Sequence, residues 1–358
     1  MRQEGIGWLQ APSAALGATE PSCRCCGGPL GDALLDLGLL PARPEGAMPP
    51  EAEPPAFRPL RVFACLGCRV LQIEGPASAP AASGRSPLDA ETPVLDLGAP
   101  GLEAFAPGLA RRLRGAGVAP GLIRDRGALA LAPDPHEILA ASRILLAPGG
   151  VLRLDLPCIL TILRDLRFDA IGPERPTWLS LAAAEAMLAE HGLALFDIEP
   201  GEGTLRLLAG HAEDRGKPAS AALAARRRAE AAFCLPPSFR ALPGRVLEAK
   251  CGLLDFLVGL RRAGRSVAGF GAGAAPDRLL RHAGIGPDLL PWIADDVAPG
   301  AGALLPACRV PVRPLAALDA ARPDFILLLR TPAPDRREAL CRSGARLVEP
   351  LPALRVLD

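Results

Sequence analysis

Two Cys-x2-Cys pairs, Cys23 with Cys26 and Cys65 with Cys68, place the firmest limit on what this 358-residue chain can become. Four thiolates are the ligand number of a closed tetrahedral zinc site. A glycine beside each pair, Gly27 and Gly67, lets the backbone turn tightly enough to aim both sulfurs at one ion. Cys25 is a spare that could displace a neighbour, but the x2 spacing favours Cys26. Four ordinary buried cysteines are the bland alternative. Closed four-thiolate sites are structural as a rule, so the predicted module holds shape without doing chemistry. A nucleic-acid zinc ribbon would need a basic, aromatic-studded face, which residues 20–75 lack.

The rest of the composition narrows the class. The length suits two or three domains, and 49% hydrophobic residues with a mean hydropathy of +0.23 suit packed cores. A net charge of +1 gives no field to attract nucleic acid or an anionic membrane. The longest apolar runs, such as Phe325–Leu329, fall far short of the roughly 18–20 residues that span a bilayer. The opening residues show no basic start followed by an apolar core, so a cytoplasmic protein is expected, where paired cysteines bind metal rather than form disulfides.

Along the chain, a zinc-binding module at 20–75 is followed by a Pro- and Ser-rich linker at 75–87. A second unit at 90–212 opens with the strand of TPVLDLGAPG and continues with a helix from Leu102 to about Gly115 and a short strand at Ala128–Ala132. A helix over His136–Leu146, the strand Val151–Pro157, a helix stopped by Gly192 and two closing strands complete it. Residues 216–262 read as a helical bridge with a Pro break around 236–243, and residues 263–358 as a third, Rossmann-like unit. Alternating strands and helices predict an α/β layered fold.

Two glycine turns stand out. VLDLGAPG places Asp96 just before Gly98 at the end of a strand, a form that can wrap a nucleotide. In VAGFGAGAAPDRLL, Gly269, Gly271 and Gly273 precede a helix whose amides could receive a phosphate, and Asp295 and Asp296 end the next strand. The third glycine of the dinucleotide fingerprint is out of register, which disfavours a nicotinamide cofactor. Plain tight turns and a solvated pair of acids are the competing readings.

With these motifs in order, the chain resembles the nucleotide-sugar C-methyltransferases, which methylate a carbon of a nucleotide-linked keto-deoxysugar. The resemblance runs over about residues 20–355. It is carried by CRCCGGPL with DLGLLPA, by PLRVFACLGCRVLQ, by LLAPGGVLRLDLP with RFDAI and LSL, and by GFGAGA, HAGIGPDLLPWIADD and PDFILLL. It implies three parts: the zinc module, a class I methyltransferase-like Rossmann domain, and a C-terminal Rossmann-like domain that helps hold the nucleotide sugar. It also implies S-adenosylmethionine as methyl donor, with Asp96, Gly98 and Asp134 at the cofactor. Gly269, Gly271, Asp295 and Asp296 are then at the sugar nucleotide, and Glu174 is the surviving catalytic position.

The departures matter as much. Where the family carries a histidine before Pro-Asp, this chain has Leu131; where it carries Tyr-His-Glu-His, this chain has Gly172, Pro173, Glu174 and Arg175, and it contains no Tyr anywhere. Removing a proton beside a ketone needs a base, and the enolate needs donors, roles that Leu131, Gly172 and Pro173 cannot fill. Only 29 residues separate Gly98 from Ala128, room for about one strand-helix unit where the cofactor domain needs two, so the domain is expected to be shortened. Three expectations follow: a degenerate relative serving as a sugar-nucleotide-binding or partner subunit beside an active paralogue, an active enzyme rebuilt around Glu174, Cys158 or a water, or an enzyme on the same sugar without adenosylmethionine.

Overall fold

The computed structural model describes residues 21–42, 46–53, 55–74, 94–97, 105–200, 204–296 and 302–357. They form a mixed α/β protein of three sheets, in which the Cys pairs, a shortened methyltransferase-like sheet and a C-terminal Rossmann-like sheet follow one another. No described helix is long and apolar enough to cross a membrane.

The first sheet is a meander of β1 (Leu35–Pro41), β2 (Phe57–Cys65) and β3 (Val70–Ile73), with Cys65-Leu66-Gly67-Cys68 forming the β2–β3 turn. The middle unit runs β4 (Val94–Leu97), α1 (Pro107–Gly115), β5 (Leu122–Asp125), α2 (Ala128–Leu131), α3 (Pro135–Leu145), β6 (Val151–Pro157) and α4 (Ile159–Leu163). A two-residue strand, β7 (Thr177–Trp178), then leaves it to pair with β3 and complete the first sheet. After β7, α5 (Leu181–Glu190), β8 (Leu193–Pro200) and β9 (Thr204–His211) close a five-stranded sheet in the order β4-β5-β6-β9-β8.

This middle sheet has two unlike faces. Leu95, Leu97, Ile123, Leu152, Leu154 and Leu156 are buried in one core with Ala110 of α1, Leu139 and Leu145 of α3, and Met187 and Leu188 of α5. The residues between them, Asp96, Arg124, Arg153 and Asp155, are half-buried and form the opposite face, and no described helix packs over it. Parallel sheets normally have helices on both faces and continuous apolar strands. Here VLDL and VLRLDL alternate apolar with charged residues on the open face, as one-sided sheets do, while LIRD places Arg124 on that face and buries Asp125 on the other.

Two helices, α6 (Ala221–Phe233) and α7 (Pro236–Arg262), lead to the C-terminal unit. It comprises β10 (Val267–Phe270), α8 (Ala274–Ala283), β11 (Ile293–Asp295), β12 (Val312–Pro314), α9 (Ala316–Ala321), β13 (Phe325–Leu328), α10 (Pro334–Arg342), β14 (Arg346–Glu349) and β15 (Arg355–Leu357). The order β12-β11-β10-β13-β14-β15 is parallel except for β15. Both faces are covered. Val267, Ile293 and Leu327 share a core with α7 and α8, while Ala268, Phe270 and Ile326 pack with Leu318 of α9 and Leu340 of α10.

Three sequence expectations are corrected. Residues 128–131 are helical, and the strand lies at Leu122–Asp125 instead. Gly127 takes a left-handed turn (φ 100°) and the buried Asp125 carboxylate accepts the Leu129 amide at 3.2 Å, which starts a helix in a run of Ala and Leu. The first helix begins at Pro107, with Leu102 outside the described residues. The Pro break is confined to the junction before Pro236. Pro243 lies inside α7, where the buried stripe Phe239, Leu242, Val246, Ala249, Leu253, Leu257 and Leu260 outweighs the lost backbone bond.

Candidate functional site

The metal-binding candidates converge. The sulfurs of Cys23, Cys26, Cys65 and Cys68 all lie within 4.8 Å of one another, with Cys23–Cys68 at 3.5 Å and Cys26–Cys65 at 3.6 Å. A tetrahedral zinc ion with bonds of about 2.3 Å holds its sulfurs roughly 3.8 Å apart, so this donor set fits zinc. Cys25 is buried outside the cluster, and its carbonyl receives His136 Nε2 at 2.7 Å, tying the knuckle to α3. The Cys23 thiol is held far below its ordinary range by hydrogen bonds from Cys25 and Cys68, and the same contacts push those two thiols up.

On the open face of the middle sheet, side chains line up in rows because directly paired residues point the same way. Asp96, Arg124 and Arg153 are successive partners across β4, β5 and β6, and Asp155, Arg206 and Glu199 are partners across β6, β9 and β8. Arg124 grips Asp96 with two hydrogen bonds of 2.6 and 3.0 Å, and Arg126 adds a third at 3.3 Å. Arg153 and Arg206 both donate to Asp155. Although partial burial opposes its charge, these two guanidiniums hold Asp155 below the usual carboxylate range.

A cavity of about 600 Å³ opens at the C-terminal ends of β5 and β6. Its lining brings together positions the sequence singled out separately: Leu131 from α2, and Glu174 and Arg175 from the strap between the Phe168–Ala170 turn and β7. Arg278 of α8 donates to Glu174 Oε1 at 2.6 Å and to the Asp169 carbonyl at 2.7 Å. Glu174 Oε2 is buried with no partner. Gly172 is fixed by this pair, since a Cβ there would stand 2.5 Å from both Arg278 Nη1 and Glu174 Oε2. The far end of the strap is tied to the metal module by Ile73 N–H to the Pro176 carbonyl (2.9 Å) and Arg24 to Thr177 Oγ1 (3.2 Å).

A second cavity, about 580 Å³, lies between the end of β6 and the C-terminal ends of β13 and β14. Arg164, Arg167, Arg226 and Arg337 line it with Cys158 and Thr331, and Arg226 donates to Cys158 Sγ at 3.1 Å.

The other expected site residues take different places. Asp134 caps α3 by accepting the His136 amide at 2.9 Å and lines neither cavity, and Gly98 lies outside the described residues. Gly269 is packed in the sheet, where a Cβ would meet Ile293 at 2.8 Å. Gly271 (φ 93°) lets Arg330 approach, a Cβ there standing 2.5 Å from the arginine's own. Asp295 accepts the Ala272 amide at 2.6 Å and meets Arg330, while Asp296 pairs with Arg336 at 2.7 Å, so these residues brace the glycine turn. Sequence reasoning missed Arg278, 104 positions from its partner Glu174, and the arginine rows, of which only the alternation of β6 gave a sign. Asp125, weighed from the sequence as the acid nearest the missing strand and set aside, is fully buried, with Oδ2 unpartnered and its pKa pushed up to about 7 by loss of hydration.

The described residues do not fit adenosylmethionine, a net cation. The acid ending β4 is spent on Arg124 and Arg126, no described strand lies beyond β4 to supply a second acid, and guanidiniums line the strand-end cavity.

Comparison with known proteins gives two findings. Residues 201–352 match the family described as the C-methyltransferase C-terminal domain. Over 246 residues, 66% of this chain, it is 27% identical to the C-methyltransferase NovU of Streptomyces niveus, and the match spans 58% of that relative's length.

Proposed function

We propose, from the premise that this chain belongs to the C-methyltransferase family, that it binds a nucleotide-linked sugar and has lost the groups that move a proton at the reacting carbon. Methyltransferases of this kind draw on adenosylmethionine, and C-methylation beside a ketone further requires a base and an oxyanion donor. One observation carries the reading. All four histidines lie away from the cavity that holds Leu131 and Glu174, and the chain has no tyrosine. His136 and His191 face each other at 3.0 Å beside Cys25, His211 ends β9, and His282 packs edge-on against Phe168. Of the acids in that cavity, Asp155 is held ionised by two arginines and is a weak base.

The cavity between the units suits the sugar nucleotide, because it opens at the strand ends of a Rossmann-like sheet and Arg337 lines it beside Arg164, Arg167 and Arg226, each of these three held by a carboxylate. The chain then acts as a zinc-containing binding or partner subunit. The orphaned Glu174 Oε2 favours a second reading, in which that carboxylate takes the sugar proton in a rebuilt enzyme. Calorimetric titration with a dTDP-sugar and with adenosylmethionine, followed by a labelled-methyl assay, separates them. Sugar binding without methyl incorporation is expected; methyl transfer at an ordinary enzymatic rate that Glu174→Gln abolishes establishes the second reading instead.

A further inference from the structure

We infer that the cavity over the open face of the middle sheet is a site for a phosphoryl group, at the strand ends where the family places a sulfonium cofactor. The inference rests on the middle sheet and the strap beside it, and is independent of sugar binding between the units. Four guanidiniums line it, from Arg124, Arg126, Arg153 and Arg175, and a fifth, Arg206, stands behind them on the same face of the sheet, against the carboxylates of Asp96, Asp155 and Glu199. Glu174 is matched separately by Arg278, so two positive charges stand in excess around a concave surface.

The arginines are not equally occupied. Arg124, Arg153 and Arg206 are fixed by two-point or shared contacts with their carboxylates, which holds the floor of the site rigid. Arg126 has one longer contact to an aspartate that Arg124 already grips, and the exposed Arg175 has no side-chain hydrogen bond or ion pair among the described residues. Two underused guanidinium forks above a rigid charged floor match the acceptor geometry and charge of a phosphate dianion. The buried, unpartnered Glu174 Oε2 is an independent sign of a ligand, because a carboxylate oxygen removed from water calls for a donor, such as a hydroxyl on the molecule that carries the phosphate. A sulfonium would meet the same arginines as repulsion.

Inorganic pyrophosphate titrated calorimetrically into the full chain tests this. Saturable binding that weakens with salt is expected, with a loss of about tenfold for Arg175→Gln and a similar loss for Arg126→Gln. Both side chains are exposed, so the variants keep the fold. Arg337→Gln, in the other cavity, should leave the Arg175-dependent pyrophosphate binding unchanged while weakening a dTDP-sugar, so the two sites fail independently. A nucleoside diphosphate that outbinds pyrophosphate through Arg175 identifies a nucleotide as the source of the phosphoryl group; equal affinities identify a free phosphate. Absence of pyrophosphate binding, binding lost only in Arg337→Gln, or adenosylmethionine binding that Arg175→Gln abolishes would each overturn the inference.

Discussion

The middle and C-terminal sheets start from the same plan and end differently. In the C-terminal sheet the chain lays β11 and β12 on one side of β10, then crosses to lay β13 and β14 on the other. That reversal opens a crevice at the strand ends, where such folds bind ligands. In the middle sheet the chain steps from β4 to β5 to β6 in one direction only, so the described strands contain no reversal, and β4 stands at the edge. The C-terminal strands VAGF and FILL are apolar throughout, as a sheet with two covered faces requires, whereas the middle strands β4, β5 and β6 carry charged residues on their open face. Among the described residues the middle sheet thus has one face rewritten for water, and its strand ends carry a cavity of different charge.

Several measurements would break or sharpen this contrast. Stripping the metal with a chelator should have the largest effect, since structural zinc contributes on the order of 10 kcal/mol in small zinc-dependent folds. Amide exchange should then accelerate through β1, β2, β3 and β7 and into the strap, while β10, β13 and β14 stay protected; equal loss in both regions would erase the distinction. Next comes Asp125→Asn in the middle sheet. Its folded pKa of about 7 lies above the ordinary 3.8, so the native state holds the proton more tightly and loses stability as pH rises from 4 to 7. The variant should therefore gain on the order of 2–4 kcal/mol over the parent at pH 8 and show a flatter stability profile, with little difference at pH 4. In the C-terminal sheet, Gly271→Ala puts a side chain at φ 93° against Arg330 and should cost about 3 kcal/mol in urea unfolding. The smallest effect belongs to Arg124→Ala. Its ion pair with Asp96 is a third exposed, so the loss should stay below about 1 kcal/mol; a cost of several would mean that this face is sealed from water.

Much of this was readable before any coordinates. The cysteine spacing located the four-sulfur cluster, and the Gly192 stop and the VAGFG turn located their elements. Short segments misled for a definite reason: four apolar residues such as ALAL carry no periodicity that separates strand from helix, and the deciding contact, Asp125 to the Leu129 amide, is a matter of geometry. LIRD is too short and too charged to announce a strand, yet its neighbours on both sides hold it in register. The acids at 295 and 296 were legible as strand-end residues, but their engagement with Ala272, Arg330 and Arg336 depends on folding. Arg278 was invisible because nothing local marks a helix residue that will reach across to another unit.

The strap from Gly172 to Trp178 has one end sewn into the sheet that carries the cysteines and its middle clasped by an arginine from the last unit. Metal capture by sulfur and the ligand capture inferred beside Glu174 would therefore share a single thermodynamic square. Whatever factor a bound ion adds to the grip on the ligand, the ligand must return to the grip on the ion. An ion bound at the four cysteines would thereby report on occupancy of a cavity it does not enter.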